Sequence, residues 1–562
     1  MLKDRTLITA ALPYANGRAH VGHIAGCYLP ADTFTRFLRL TGREAVFICG
    51  SDENGAPITF AAMKEGVTPQ DIVDRNHKIL KETFVGLGID FSYYGETHCA
   101  CHQEISQDFF KRLHEHGHVL RHTVEQVYCG ECKIFLPDRY VEGVCPFCGK
   151  PGARGDQCEA CGRPVDATKL GDPVCMVCRQ KGRSGKGCVS VRETDHWFLQ
   201  LNSCTADLKK YLDGHPEWRD AVKRFSYGLL EQGLHERCIT RDLTWGIPVP
   251  LPQAAGKVLY VWFDAPIGYI TFTRQYFAKL GKPDAWKDYW QDDSTGLVHF
   301  IGKDNTVFHA VMFPAMLMAH GDFRLPDTVV ANEFLNLEKD KISTSRNHAV
   351  WVDEYLQAFP PDPLRYYLTA IAPENSDSDF SWKGFQLRNN GELADNLGNF
   401  IQRNLAFCNK YFDSVVPTET APIPESGAAL LAKIDATRDK VTALLSDHHY
   451  RDALEEVMTL SRAGNEFFSA EEPWKSRKDD MPKCGATISV CLQVVEALSV
   501  LIAPFMPFSA AKLRASMNLP ELQAGDWTAP RRLAPGHRIG VAEVLFPKID
   551  DAAIEAQFAK LR

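Results

Sequence analysis

Three groups of residues have types and spacings that do chemistry. The first is a set of four Cys-x-x-Cys pairs between positions 129 and 178: Cys129/Cys132, Cys145/Cys148, Cys158/Cys161 and Cys175/Cys178. Two intervening residues let both thiolates of a pair reach one ion from a tight turn, and four pairs suit two tetrahedral zinc sites. Gly, Pro, Arg and Lys fill much of the stretch, so zinc binding and folding are expected to be coupled there. Disulfides and a redox CxxC are the alternatives. Disulfides need an oxidising compartment, and a redox CxxC is usually single and lies beside a βαβ pattern.

The second group is His20-Val21-Gly22-His23, which opens a helical pattern after a strand-like run and a Gly/Asn loop. A helix N-terminus presents free N–H groups and the positive end of its dipole, which suit phosphate. Two histidines there have donors for phosphate oxygens, and Gly22 admits a ligand close to the backbone. Histidines at this spacing are also common as solvated or capping residues. The third group comprises Asp52, at the end of a second strand-like run, and the loop Lys341-Ile342-Ser343-Thr344-Ser345. Asp52 would bind an ammonium group or cap the next helix. The loop suits phosphate, or is a solvated turn.

The elements that position these residues read as α/β, then α. Residues 6–12 and 45–49 are expected as strands, and 64–120 as helical. Residues 258–263 and 298–301 are expected as further strands, with a helix from 307 carrying His309. The α/β pattern thus stands on both sides of the cysteine-rich stretch. One parallel sheet interrupted by an inserted domain accounts for it, with ligands at the C-terminal ends of the strands. After about residue 382, helical periodicity over 387–412, 428–445, 451–468 and 486–503 predicts an antiparallel bundle. Asn399 and Arg403 are four apart and share a face. Trp474, past the third helix, either anchors packing or stacks on a base. The tail from 513 is expected to pack back on the bundle.

A chain of 562 residues has room for about three or four domains. With 45% apolar and 24% charged residues it reads as globular. The net charge of −8 makes any RNA surface a local basic patch on an acidic body. The ten cysteines outside the pairs lack framework spacing, which fits a reducing cytosol. The N-terminus has no signal-peptide pattern. The apolar run 488–508 holds Gln493, Glu496, Pro504 and Pro507, and reads as a buried helix rather than a membrane span.

Taken together, the motifs resemble the methionyl-tRNA synthetases, which are class I aminoacyl-tRNA synthetases. Residues 20–23 match the His-Ile-Gly-His type and 341–345 the Lys-Met-Ser-Lys-Ser type. ALPYANG at 11–17, YVWFDAPIGY at 260–269, the cysteine-rich insertion and the Asn399/Arg403/Trp474 set match the methionine enzymes. The resemblance spans about 6–546. It implies a Rossmann-type catalytic domain in two halves (1–116 and 229–325), interrupted by a connective insertion with two zinc knuckles (117–228). A stem-contact region with the 341–345 loop (326–384) follows, and then a helical anticodon-binding domain and tail (385–562).

The implied reaction joins methionine and ATP, used with magnesium, into methionyl-adenylate and pyrophosphate, then moves methionine to the 3′ end of its tRNA. By resemblance, His20, Gly22, His23, Asp304, Lys341, Ile342 and Thr344 bind ATP. His20, His23, Lys341 and Arg241 assist catalysis. Asp52 takes the methionine ammonium, a pairing with a direct Coulomb rationale. Ala11, Leu12, Tyr14, Trp262, Ala265, Pro266, Tyr269 and His309 form the rest of the methionine site. Their mix suits a thioether, because aromatics contact sulfur well and Tyr and His supply weak donors. Asn399, Arg403 and Trp474 would read the anticodon.

Thr344 replaces the second Lys of the family loop, which removes a cation near the pyrophosphate. Lys341, Lys339 and Arg346 are the candidates to compensate, with Lys341 as the main loop cation. In the family some members keep only the two middle cysteine pairs. That suggests nested pairing here (145, 148, 158, 161 and 129, 132, 175, 178), with sequential pairing as the alternative. No separate editing domain and no C-terminal dimerising barrel are expected, and the protein is expected to be monomeric and cytoplasmic. The rivals are a synthetase for Cys, Leu, Ile or Val, a non-catalytic zinc-containing RNA binder, and a generic nucleotidyltransferase.

Overall fold

The computed structural model describes residues 2–137, 140–155, 158, 160–163, 165–344, 346–418, 421–528 and 533–561. Its centre is a parallel five-stranded sheet. In spatial order the strands are Thr328–Asn332, Gly296–Gly302, Arg5–Ala10, Glu44–Ser51 and Tyr93–Glu96. The first strand is central, the second and third lie to one side, and the later two lie to the other. The order therefore reverses between Arg5–Ala10 and Gly296–Gly302, which is where ligands gather in such sheets.

Both faces of the sheet are covered, so the strands read as continuous apolar runs. Ile8, Phe47 and Phe300 join the core that runs into the helical bundle. Leu7, Ile48 and Leu297 face the opposite way, against helices Ala100–Glu115, Gly268–Lys279 and Phe313–His320. The alternation of successive residues between two cores follows from the two-residue strand period.

Two expectations are corrected. Of 258–263, only Val258–Leu259 is a strand, and Val261–Asp264 is a helical turn. A short apolar run buried on all sides carries no periodicity that separates the two states. The stretch 64–120 is not wholly helical: the edge strand Tyr93–Glu96 lies between helices Pro69–Leu87 and Ala100–Glu115. At four residues it is too short to show its period.

The insertion leaves the sheet on two long antiparallel strands, Val119–Cys129 and Val189–Leu199. Cysteines sit at their tip, where Phe60 of helix Ala56–Glu65 stacks on Tyr140. The knuckle region thus packs against the helix that follows Asp52.

The C-terminal helices Asn399–Tyr411, Glu425–Ser446, Tyr450–Glu471 and Met481–Leu501 form the expected bundle. Met481–Leu501 is long and apolar enough to cross a membrane, but 89% of its apolar window is buried inside the bundle. The tail reaches further than the bundle. The ring of Trp527 packs on Phe37, its backbone N–H donates to Leu40 O, and its indole donates to Thr442 of the bundle.

Candidate active site

Three loops meet at the switch point of the sheet. Residues 11–23 follow the first strand, 303–309 follow Gly296–Gly302, and 335–344 form a hairpin above them. They line a cavity of about 720 Å³ that includes Ala11, Leu12, Tyr14, His20, Gly22, His23, Trp262, Asp304, Lys341, Ile342 and Thr344.

His20 caps the helical segment that begins at Val21. Its Nδ1 accepts from Gly22 N–H at 3.2 Å, and His23 Nδ1 accepts from His20 N–H at 3.2 Å. The rings stack at 3.7 Å. Burial pushes His20 down to about 2 and His23 to about 4, with the neighbouring His23 adding to the shift of His20. Both are therefore neutral at pH 7. With Nδ1 used as an acceptor, each ring carries its proton on Nε2, which remains a donor. A Cβ on Gly22 would lie 3.0 Å from the His20 ring and 3.1 Å from Ile342, so glycine lets the hairpin come down on the histidine loop.

The hairpin carries Lys341. Asn336 pairs with Lys341 and Leu337 with Asp340, leaving Glu338 and Lys339 as turn residues with φ of 50° and 70°. Two positive φ values match the twist of a two-residue hairpin but are costly without glycine. Side-chain carboxylates hold them: Glu338 Oε1 accepts from the Trp382 backbone N–H at 2.8 Å, and the Lys339 backbone N–H donates to Asp379 Oδ1 at 2.7 Å. Of the three compensating cations named above, Lys341 alone lines the cavity, while Lys339 and Arg346 do not. Ser345 lies outside the described residues.

An aromatic cluster forms part of the cavity wall and continues behind it. Trp262 stacks on Phe308 at 4.2 Å and meets Tyr14 edge-on. Ala265, Pro266, Tyr269 and His309 are buried beyond it and are not among the cavity-lining residues. His309 Nδ1–H donates to Asn305 O at 3.1 Å, so its Nε2 accepts from the Tyr269 hydroxyl at 2.8 Å. Burial pushes His309 down to about 4. Both donors expected to face a thioether are thus engaged with protein acceptors, and ring faces remain as the sulfur-contacting surface. His309 sits in a π-helical segment, Phe308–Met312, and another such segment, Ile24–Tyr28, follows His23. Such bulges recur at functional sites, and nothing in the sequence pattern announces them.

Asp52 is buried. Its backbone is bonded to both Pro13 O and the Ala15 N–H, which ties it to the loop after the first strand. Burial, and then the charge of Asp264, hold its carboxyl well above the usual range. Arg241 is placed differently from the expectation. Its guanidinium lies 3.8 Å from the Tyr260 ring centre and donates to Thr240 O and Cys238 O, and it does not line the cavity.

The eight paired cysteines form two quartets, Cys129/Cys132/Cys175/Cys178 and Cys145/Cys148/Cys158/Cys161. The nested arrangement is therefore the one the fold makes. Sulfur separations include 3.3 and 3.6 Å in the first quartet and 3.7 and 3.9 Å in the second. Zn–S bonds of about 2.3 Å put tetrahedral sulfurs roughly 3.8 Å apart, so both quartets could hold zinc. Cys188 is a ninth thiol, 3.6 Å from Cys129. Its sequence position, outside any CxxC pair, gave no sign of this.

At the far end of the molecule, Arg403 lies over the Phe468 ring at 4.0 Å and donates to Asn465 O. Phe468 neighbours Trp474, which is 40% exposed, and Asn399 is exposed one turn before Arg403. Phe468 was not among the residues singled out by the sequence motifs.

The family model described as "tRNA synthetases class I (M)" matches residues 6–405. The one described as "Anticodon binding domain of methionyl tRNA ligase" matches 416–561. A methionine–tRNA ligase of Parabacteroides distasonis is 49% identical over 99% of this chain and 81% of its own length. This chain belongs to the methionyl-tRNA synthetase family. A Pyrococcus horikoshii relative of the same name is 46% identical over 98% of this chain and 76% of its own length. Among solved structures, a Mycobacterium tuberculosis methionyl-tRNA synthetase in complex with methionyl-adenylate matches with a TM-score of 0.80 at 27% identity. It covers 96% of this chain and 99% of that one. In this family member the cavity and its adjoining aromatic cluster share Tyr14 and Trp262, and the Arg403, Phe468 and Trp474 cluster stands on the helical bundle.

Proposed function

We propose that this protein activates methionine with ATP, releasing pyrophosphate, and transfers the methionyl group to the 3′ end of tRNA(Met) for translation initiation and elongation. The observation that carries the reading is the meeting of His20, His23 and the Lys341 hairpin in one cavity at the switch point of the sheet. That is a cradle of imidazole N–H donors and one lysine ammonium beside an aromatic cluster.

In the first step the methionine carboxylate attacks the α-phosphorus in line and pyrophosphate leaves. The Nε2–H groups of His20 and His23 and the Lys341 ammonium stabilise charge that builds on phosphate oxygens, in a fixed geometry that needs no reorganisation. Gly22 and Ile342 seat the nucleotide, with Thr344 at the loop edge, and Asp304 accepts from the ribose. Asp52 takes the methionine ammonium. Ala11, Leu12, Tyr14, Trp262, Ala265, Pro266, Tyr269 and His309 enclose the side chain. Arg241, which lies on the Tyr260 ring in this structure, stabilises the substrate carboxylate or a phosphate. In the second step a terminal ribose hydroxyl of tRNA attacks the activated carbonyl and AMP leaves.

Asn399, Arg403 and Trp474 read the anticodon by hydrogen bonding and stacking, with the buried Phe468 ring supporting the Arg403 guanidinium. The two cysteine quartets each hold a structural zinc ion. The domain boundaries are those given above, and the protein acts as a cytoplasmic monomer. The test is pyrophosphate exchange into ATP without tRNA, run separately with methionine, leucine, isoleucine, valine and cysteine. Exchange with methionine alone is expected. Exchange with another amino acid would overturn the pocket assignment. No exchange from folded, zinc-replete protein would point to a non-catalytic RNA binder or to a tRNA-dependent enzyme.

A further inference from the structure

A second buried carboxylate lies next to Asp52. Asp264 ends the helical turn Val261–Asp264 and is wholly buried. Its Oδ2 accepts from the Asn54 side-chain amide at 2.9 Å and is 3.4 Å from His102 Nε2. Asn54 also gives its backbone N–H to Asp52 Oδ1 at 3.4 Å, so one residue touches both carboxylates. The other oxygen of Asp264, Oδ1, is buried with no hydrogen-bond partner among the described residues. Leaving a carboxylate oxygen dry and unpaired is expensive. A donor arriving with a ligand would satisfy it.

The ring of His102 is wholly buried and its direction is set from behind. Its Nδ1 lies 2.8 Å from the Thr271 hydroxyl, closer than that hydroxyl is to Ile267 O at 3.3 Å. The Thr271 proton is therefore best placed on Nδ1, which leaves the imidazole N–H on Nε2, facing Asp264. Asn54 is held in turn. His98 Nδ1–H donates to its Oδ1 at 3.2 Å, and Trp245 stacks on His98 and donates to Glu53 O.

We propose that Asp264 is the second carboxylate of the methionine-ammonium site, and that His102, through its Nε2–H, is the positioning residue that keeps Asp264 ionised for that purpose. This rests on the assignment of Asp52 as the ammonium acceptor. With both carboxylates buried and linked through Asn54, burial and the charge of Asp264 favour the protonated form of Asp52 while the site is empty. A bound ammonium supplies the missing positive charge and donors, and both acids ionise. The ionisable groups facing the pair are Glu53 beside Asp52, Tyr14 from the loop after the first strand, Tyr260 on the Asp264 segment, and His98 and His102 from 97–102. None of these is a fixed cation, and the Arg241 guanidinium lies against the Tyr260 ring and bonds to Thr240 O and Cys238 O, so an incoming ammonium would supply positive charge at the pair. Burial raises the Asp264 carboxyl while His102 and Asn54 oppose that rise, which is the direction the proposal needs.

The test separates ammonium recognition from general damage. Two competitive inhibitors of pyrophosphate exchange are compared on full-length protein. L-Methioninol keeps the ammonium, and 4-(methylthio)butanoate lacks it. Asp264→Asn is expected to weaken methioninol about tenfold, the equivalent of one pK unit, and to leave the desamino compound within about a factor of two. Equal weakening of both, or of neither, would overturn the proposal. Asp52→Asn run alongside tests the underlying assignment: if it does not discriminate between the inhibitors, the ammonium is not at Asp52, whatever Asp264 does. The His102 pair gives a second readout, independent of whether the Asp264 variant folds. Without the Nε2–H donor, Asp264 protonates at higher pH. His102→Leu should thus move the acid limb of the methionine KM profile up by about one pH unit, with kcat unchanged. His102→Gln, which restores a donor, should bring it back. An unmoved limb in His102→Leu, or equal shifts in the two variants, would refute the role of His102.

Discussion

Replacing Arg365 by Met tests whether one buried guanidinium sets the position of the helical bundle on the catalytic domain. Arg365 is wholly buried. Its Nη2 donates to Asp32 at 2.6 Å and to Pro504 O at 3.1 Å, its Nε to Phe505 O at 2.8 Å, and its Nη1 to Gly88 O at 3.2 Å. One side chain thereby joins helix Leu29–Leu40 and the end of Pro69–Leu87 to the turn after Met481–Leu501. In Arg365→Met, Asp32 keeps Arg36 at 2.8 Å and the Asp90 N–H at 2.8 Å, and Gly88 O keeps Arg36 at 2.7 Å. The loss is then not that of a buried charge left with no partner. What remains unpaired is three carbonyls, Pro504, Phe505 and the more distant Leu87 at 3.4 Å, at about 1–3 kcal/mol each for the two closer ones. Weakened support of Asp32 adds to this, so we expect a total of about 4 kcal/mol. Urea unfolding measures it. Pyrophosphate exchange needs only the cavity and should stay within about twofold per folded molecule. Aminoacylation needs the anticodon surface at a fixed distance from the cavity and should fall about tenfold. A loss below about 1 kcal/mol, or equal falls in both activities, would refute the reasoning.

Three further outcomes are expected. Cys161→Ser should lose the zinc of its own quartet and keep the other, whereas Cys188→Ser should keep both; zinc counted by mass spectrometry under native conditions checks this, and loss of metal from Cys188→Ser would place that thiol in the coordination sphere. Lys341→Ala should slow adenylate formation about a hundredfold at unchanged methionine KM, and a wild-type rate in single-turnover experiments would show that another cation compensates for Thr344. Burial holds His448 at about 3, with the Arg219 charge contributing, against an ordinary value of 6.5. The unfolded chain takes up this proton first, so the stability tied to neutral His448 is complete above about pH 6.5 and declines as pH falls toward about 3, by up to about 1.4 kcal/mol per unit. The melting temperature of His448→Gln should therefore fall less steeply between neutral pH and pH 5 than that of the wild type, and parallel profiles would contradict the assignment.

Much of this protein was legible in residue types and spacing, because its chemistry is local. Four CxxC pairs announce metal sites, since chelation by a pair needs only a tight turn. His20 and His23 sit on one helix start, and Lys341 on one hairpin, so a short motif carries each. The helices after 382 are long enough for their period to be read, and the bundle follows from it. Short elements buried on every side were not readable: the strand Tyr93–Glu96 is too brief, and Val261–Asp264 is apolar whichever state it adopts. Nor were contacts between distant segments. Which pairs come together in a quartet depends on the closing of strands Val119–Cys129 and Val189–Leu199, a packing of residues far apart in the chain that spacing leaves free. The stacking of Arg241 on Tyr260, the approach of Cys188 to Cys129, Phe468 under Arg403, and the neighbouring Asp52 and Asp264 are of the same kind. Sequence determined which groups are present and the local backbone that holds each; tertiary structure alone decided which become neighbours away from water, and burial beside a particular neighbour is what sets the charge and hydrogen-bonding state of each group.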